Sequence, residues 1–374
     1  MPDVVVVGAG MAGAAAAWVL ARRGRAVLLV DRFARGHDRG SSHGAERIFR
    51  FGYTDPAYVR LAQDSVAGWH DLQAPLDAPL LHLTGVVDHG DDAELDELLA
   101  ACTAAGVRVD ALTASEASAR WPGLRFDGNV VQQPDAGRVD ADRTLAACWD
   151  QAESLGADVR FGAPVTAVRR PRAGDGVEVQ IGDEIVTAPV AVVAAAGWTA
   201  ELLEPDVAAA LVPPITVSAE TVAWFRPGVE PWPSFIQRGD EVAYGLGSPD
   251  GLVKVGLHGI GPVIEPDDRP ATVPGAVRAI EDYASRWLPG VEPTAVRSTV
   301  CLYASSATDD FVLDRRGPIV VGVGFGGHGF KFAPAIGAHL ADLADEALGL
   351  QPAGERAFPA EQVLGATGRP HSWR

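Results

Sequence analysis

Of the 31 lysines and arginines in this 374-residue chain only two are lysine, Lys254 and Lys331. Such a bias explains arginine on solvated surfaces and leaves the two lysines as candidates for work a guanidinium cannot do. A compact ammonium, or an amine whose pKa moves on desolvation, is work of that kind; chance survival of two surface lysines is the plain alternative. Lys331 lies in Val320-Val-Gly-Val-Gly-Phe-Gly-Gly-His-Gly-Phe-Lys-Phe332, where five glycines separate an apolar run from a helix-forming one and His328 stands three residues before the lysine. Lys254 lies in Leu252-Val-Lys-Val-Gly-Leu-His258, which alternates as a strand does. A second glycine group, Gly8-Ala9-Gly10-Met11-Ala12-Gly13, follows Val4 to Val7, and Asp31 ends the next apolar run. Gly8 permits a tight turn, Gly10 lets a pyrophosphate approach the backbone, and Gly13 lets helix and strand pack closely. The acid at this spacing suits a ribose.

These residues need elements to hold them. Strands over 3–7 and 26–30 around a helix over 11–23 form a βαβ unit, whose continuous apolar strands mean a parallel sheet. A polar loop follows over 32–46, then helices over 56–72, 91–105 and 140–155. Strands over 158–161, 165–169 and 190–196, with a hairpin over 177–186, read as the return of the chain to the nucleotide-binding sheet. Alternation over 215–225, 235–237, 242–246 and 252–258 predicts antiparallel strands of a separate domain. A helix over 273–287, strands over 299–303 and 319–323, and a helix over 329–347 complete the pattern. Two glycine-rich strand-to-helix turns in one chain suggest a cofactor that spans the sheet, FAD better than NAD.

Gly-Phe-Gly-Gly-His-Gly-Phe-Lys-Phe at 324–332, Ser-Ser-His-Gly-Ala-Glu-Arg-Ile-Phe-Arg at 41–50 and Val-Cys-Leu-Tyr at 300–303 fall in order after the N-terminal glycine motif. With them the chain resembles the monomeric sarcosine oxidase and N-methyltryptophan oxidase family, of the D-amino-acid-oxidase type, from Val4 to about Leu348. The resemblance implies an α/β fold: a glutathione-reductase-like FAD-binding Rossmann domain (1–80, 140–210 and 305–374) interrupted by an antiparallel-sheet substrate domain (81–139 and 211–304). It implies FAD joined through a thioether to Cys301. Gly8, Gly10, Gly13, Asp31, Arg32, Ser42, His43, Arg47, Val165, Gly197, Gly326, Gly327, Gly329 and Lys331 would line the cofactor. Arg50 and Lys331 would hold a substrate carboxylate, with Tyr303 and His328 beside it. Lys254 would serve oxygen near the flavin, with Arg47, His258 and Tyr244 also at the reacting end. Taken singly, these residues read more plainly: Cys301 as a buried structural thiol, Arg50 as a surface arginine, Lys254 as a salt-bridged strand lysine, the aromatic and histidine positions as ordinary core.

The activity implied is oxidation of a secondary amino acid, N-methyl or cyclic, at the carbon next to nitrogen, giving an imine and hydrogen peroxide. A flavin dehydrogenase with another acceptor and a non-catalytic flavin-binding protein are the alternatives. The sequence departs from sarcosine oxidase around His43, between Arg50 and Tyr58, and at Ala304, which leaves the substrate open. A net charge of −18 argues against nucleic acid or anionic lipid as partner. Three widely spaced cysteines without a CxxC argue against a disulfide framework or a metal site and suit a reducing cytoplasm. No apolar run reaches the length of a membrane span. The partners expected are therefore an amino acid or amine and O2, and the resemblance implies a monomer.

Overall fold

Val4–Val7 is buried at every position, as a strand with no polar residue must be when both faces of its sheet are covered. It pairs in parallel with Val27–Val30 on one side and Val190–Val193 on the other. Asp158–Arg160 and Ile319–Val323 extend the parallel array, and Val312–Arg316 closes one edge antiparallel, giving six strands. The structure, a computed structural model, describes residues 1–351. Residues 352–374, the end of the third segment expected to hold FAD, lie outside the described residues.

Val4 and Val6 join a core with helices Met11–Arg22, Ala141–Ser154 and Ala333–Ala347, while Val5 and Val7 pack on the opposite face. That opposite face is covered by an antiparallel meander, Val165–Arg169, Val177–Ile181 and Glu184–Ala188. The meander is a sheet of its own, so the expected return to the parallel sheet is made by Asp158–Arg160 and Val190–Val193 alone. Each buried valine or leucine here contributes about 1.5–3 kcal/mol. Helix Met11–Arg22 is apolar around most of its circumference because helices as well as the sheet pack against it. Small residues let it come close: a Cβ on Gly13 would stand 1.8 Å from the Gly8 carbonyl oxygen.

The second large sheet has eight strands. Arg297–Ser305, Thr216–Phe225, Val253–Leu257, Ala243–Gly247 and Ser234–Gln237 run antiparallel in that spatial order. Val86–His89, Val130–Gln133 and Asp110–Leu112 continue it, and the junction of Ser234–Gln237 with Val86–His89 is parallel. The sheet is thus mixed at one ladder where pure antiparallel pairing was expected. Helix Ala276–Trp287 packs Ile280, Tyr283 and Ala284 into its core. A small sheet joins Glu46–Phe49, Gly137–Asp140 and Leu81–His82. The expected boundaries at 80/81 and 139/140 fall inside it, where Leu81 pairs with Val139.

Two local expectations change. The loop over 32–46 ends in a strand that begins at Glu46. The last helix begins at Ala333, after a 3-10 turn over Phe330–Phe332. No helix among the described residues is long and apolar enough to cross a membrane.

Candidate active site

A cavity of about 530 Å³ runs from the first glycine turn to the eight-stranded sheet. That volume suits an organic ligand. At its first end Gly8 adopts a left-handed φ of 96°, and a Cβ there would lie 2.6 Å from the Ala194 carbonyl oxygen. Gly10 and Met11 bring the start of the helix to the cavity wall, and Ser42 Oγ accepts from Met11 N at 3.0 Å. The Asp31 carboxylate accepts from Ala9 N and Phe33 N, both at 2.8 Å, which fastens the turn to the next loop. Burial works against its charge, but the His37 side chain and these backbone donors hold its pKa below the ordinary value. Two oxygens with four acceptor sites leave room for a further donor. Arg32 pairs with Asp267 at 3.2 Å and lies over the rings of Phe33 and Trp198, and Val165 lines the same end.

In the middle, strand alternation brings Cys301 and Tyr303 to the cavity from Arg297–Ser305, and Lys254 reaches it from Val253–Leu257. All three cysteines are buried and free, and Cys301 alone lines the cavity among the described residues. Lys254 is 4 % exposed. Its Nζ donates to the Glu46 carbonyl at 3.2 Å and stands 3.8 Å from Glu46 Oε1. Burial and the Arg47 charge push its pKa down to about 8. Arg47 donates to the carbonyls of Ser41 and His43, curling the loop that carries His43. The His43 Nε2 is buried without a hydrogen-bond partner among the described residues, and burial with Arg47 nearby pushes its pKa down to about 4. A neutral imidazole with one orphaned nitrogen, set beside a helix start and a glycine turn, fits a polar cofactor bound there.

At the far end Arg50 is 1 % exposed, which removes the surface reading for it. Its guanidinium donates to the Gly52 carbonyl and lies 4.3 Å from the Tyr53 ring centre. Lys331 Nζ donates to Tyr53 OH at 3.0 Å and to the His328 carbonyl at 2.7 Å, both neutral oxygens. Burial, then Arg50, pushes Lys331 well below the ordinary lysine pKa, and burial with Lys331 keeps His328 neutral. Tyr244 OH and Tyr303 OH share a hydrogen bond at 3.0 Å, and the His258 ring lies 5.7 Å from that of Tyr303. The apolar wall here comes from Ile236, Val242 and Leu246. Two cations buried in one pocket are suited to holding a carboxylate.

Two of the expected cofactor residues do not line the cavity. Gly13 is buried in the helix–strand contact, and Gly197 faces a separate apolar hollow where a Cβ would meet Val217 at 2.6 Å. At Gly327 and Gly329 the close approach is made by the protein's own rings: Tyr303 at 2.2 Å and Phe325 at 2.6 Å from a built Cβ. Gly326 takes a left-handed φ of 51°, which favours glycine. Sequence reasoning passed over Glu46 and Tyr53, which hold the two lysines. The signal for Glu46 was an acid inside the Ser41–Arg50 motif; for Tyr53 it was an aromatic three residues after Arg50.

The family model described as FAD dependent oxidoreductase matches residues 3–343. Monomeric sarcosine oxidase of Streptomyces avermitilis is 33 % identical, over 91 % of this chain and 93 % of its own. An N-methyl-L-tryptophan oxidase of Escherichia coli is 29 % identical over 92 % and 95 %. The solved structure of NikD, an amino acid oxidase essential for nikkomycin biosynthesis, in its open form, superposes with a TM-score of 0.80 at 27 % identity, covering 96 % of this chain and 99 % of that one. The chain belongs to the FAD-dependent oxidoreductase family, as a homologue of the sarcosine and N-methyltryptophan oxidases.

Proposed function

We propose that this FAD-dependent oxidoreductase is an oxidase of secondary amino acids, N-methylated or cyclic. One observation carries the reading: Arg50 and Lys331 lie buried at one end of a cavity whose middle holds Cys301 and Lys254. Residues 1–80, 140–210 and 305–374 would be the FAD-binding domain and 81–139 with 211–304 the substrate domain. The substrate end joins Arg50, His328 and Lys331 of the first to Tyr244, His258 and Tyr303 of the second. Bound FAD supplies the acceptor for the hydride from the carbon next to nitrogen and the route by which two electrons reach O2 as hydrogen peroxide. Gly8, Gly10, Asp31, Arg32, Ser42, His43 and Val165 would hold it, and Cys301 would carry it through a thioether.

Arg50 and Lys331 orient the substrate by its carboxylate, and the anion's charge favours the protonated lysine that burial disfavours. Their attraction fixes the reacting carbon with respect to the cavity's middle, which converts binding energy into orientation. A secondary amine must be neutral to release hydride. Neutral His328, with the Tyr244–Tyr303 pair and His258, surrounds it with uncharged partners, while the nearby cations disfavour an ammonium. The imine leaves to hydrolyse in water. Lys254 keeps a positive charge where negative charge develops on oxygen.

Peroxide release in air tests this with sarcosine, N-methyltryptophan, pipecolate, proline and N-methylated hydrophobic amino acids. Peroxide from at least one N-methyl or cyclic compound is expected. Anaerobic bleaching of the flavin without peroxide in air would establish a different electron acceptor, and primary amino acids alone as substrates would overturn the substrate class. Acid precipitation is expected to leave a yellow pellet; a colourless pellet under a yellow supernatant would overturn the Cys301 linkage.

A further inference from the structure

Glu46 has no role in the reading above, yet it is 0 % exposed and faces the one lysine in the middle of the cavity. We propose that Glu46 is a positioning residue for Lys254: its carboxylate anchors the ammonium at the cavity wall and keeps it a cation. Four contacts support this. Glu46 Oε1 accepts from Trp224 Nε1 at 3.1 Å and Oε2 accepts from Ser248 Oγ at 3.0 Å, so the carboxylate is held from two strands' ends. Oε1 is 3.8 Å from Lys254 Nζ, and the Glu46 carbonyl takes a hydrogen bond from the same nitrogen. Trp224 is opposite Lys254 in the ladder, and its ring centre lies 5.4 Å from Nζ. One residue thus meets the lysine with main chain and side chain together.

The surroundings of Lys254 otherwise oppose its charge. Burial disfavours the ammonium, and Arg47 repels it from the same strand as Glu46. His43 approaches from the preceding loop and is neutral. Arg297 lies 4.6 Å from the Trp224 ring centre. Asp142, from the first turn of Ala141–Ser154, acts in its favour, and Cys301 on Arg297–Ser305 carries no charge as the thioether proposed above, so Glu46 is the acid in ion-pair range. An opposite charge at this distance in a buried site moves a pKa by roughly one to three units. The inference rests on the proposed oxygen role of Lys254 only for its kinetic consequence.

The scarcity of lysine provides the measurement. In flavin-loaded protein labelled with 13C at lysine Cε the chain yields two signals, and Lys254→Met assigns them. The native Lys254 signal is expected to be that of an ammonium at pH 7. Glu46→Gln keeps an acceptor for Trp224 and a polar partner for Ser248 but removes the charge, and it is expected to lower the Lys254 midpoint by roughly one unit or more. An unmoved midpoint overturns the proposal. A neutral amine at pH 7 in the native protein overturns it without any variant, which covers a Glu46→Gln chain that does not fold. If the midpoint falls while reoxidation by oxygen keeps its native rate and pH profile, the Glu46–Lys254 coupling stands and the oxygen role of Lys254 fails.

Discussion

The two ends of the cavity are built by different means. At the first, Gly8 N donates to Val30 O, Asp31 accepts from Ala9 N, and the helix starts at Met11, all within one βαβ unit. At the second, Lys331 and its partner Tyr53 are 278 residues apart, and the Tyr244–Tyr303 bond spans 59. The first end works through backbone groups and the absence of side chains; the second works through individual buried side chains. A backbone site should therefore fail as a whole when a methyl intrudes. A side-chain site should lose one function at a time.

Gly13→Ala presses that difference hardest. Its new Cβ would overlap the Gly8 carbonyl oxygen, and no side chain can turn aside to admit it. We expect nearly complete loss of bound flavin, measured by the ratio of flavin to protein absorbance, with a stability loss on the order of 3 kcal/mol. Retained flavin would show that the helix can shift without opening the turn. Lys254→Met, in contrast, should keep flavin and anaerobic reduction by substrate while slowing reoxidation by roughly 100-fold or more, the scale of a lost electrostatic stabiliser. Loss of the reductive step instead would reassign the lysine.

Arg50→Ala should raise the substrate KM by roughly 100-fold, about 3 kcal/mol for a charged hydrogen-bonding partner, at unchanged flavin content. Equal loss of both would mean that the second end is as cooperative as the first. The smallest effect expected is a pH dependence. Lys254 has a pKa pushed down to about 8, so raising the pH through that value removes its proton. Reoxidation should be level below about pH 7 and fall above pH 8, while a profile flat to pH 10 would show that the charge is not used.

Much of this architecture was legible because it is periodic. The valine strands, the Ala-rich helix, Val165–Arg169 and Ile319–Val323 each stand where their residue types put them. The five strands between Leu81 and Asp140 were not, since each has only two to four residues and three of them, Val86–His89, Val130–Gln133 and Gly137–Asp140, bury a polar side chain. Asp88 and His89 end Val86–His89 fully buried, which breaks any apolar pattern; Asp88 is stable there because Arg238 pairs with it at 2.8 Å. Glu46 was obscured likewise: a charged residue after a polar loop reads as surface, and its burial depends on Trp224, Ser248 and Lys254 from distant strands.

By itself the sequence determined the βαβ unit, the two glycine turns, and the short list of residues able to bind a dinucleotide or a carboxylate. These follow from local sterics: valine favours the extended chain, and glycine is favoured in the crowded left-handed turn of Gly8 and the left-handed φ of Gly326. The tertiary structure decided which of those residues share one cavity, that Gly13 and Gly197 stay outside it, and that both lysines lie inside it and buried. It also decided the charge each group carries. A pKa is a property of desolvation and of neighbours within a few ångströms, and those neighbours come from strands that are remote in the chain.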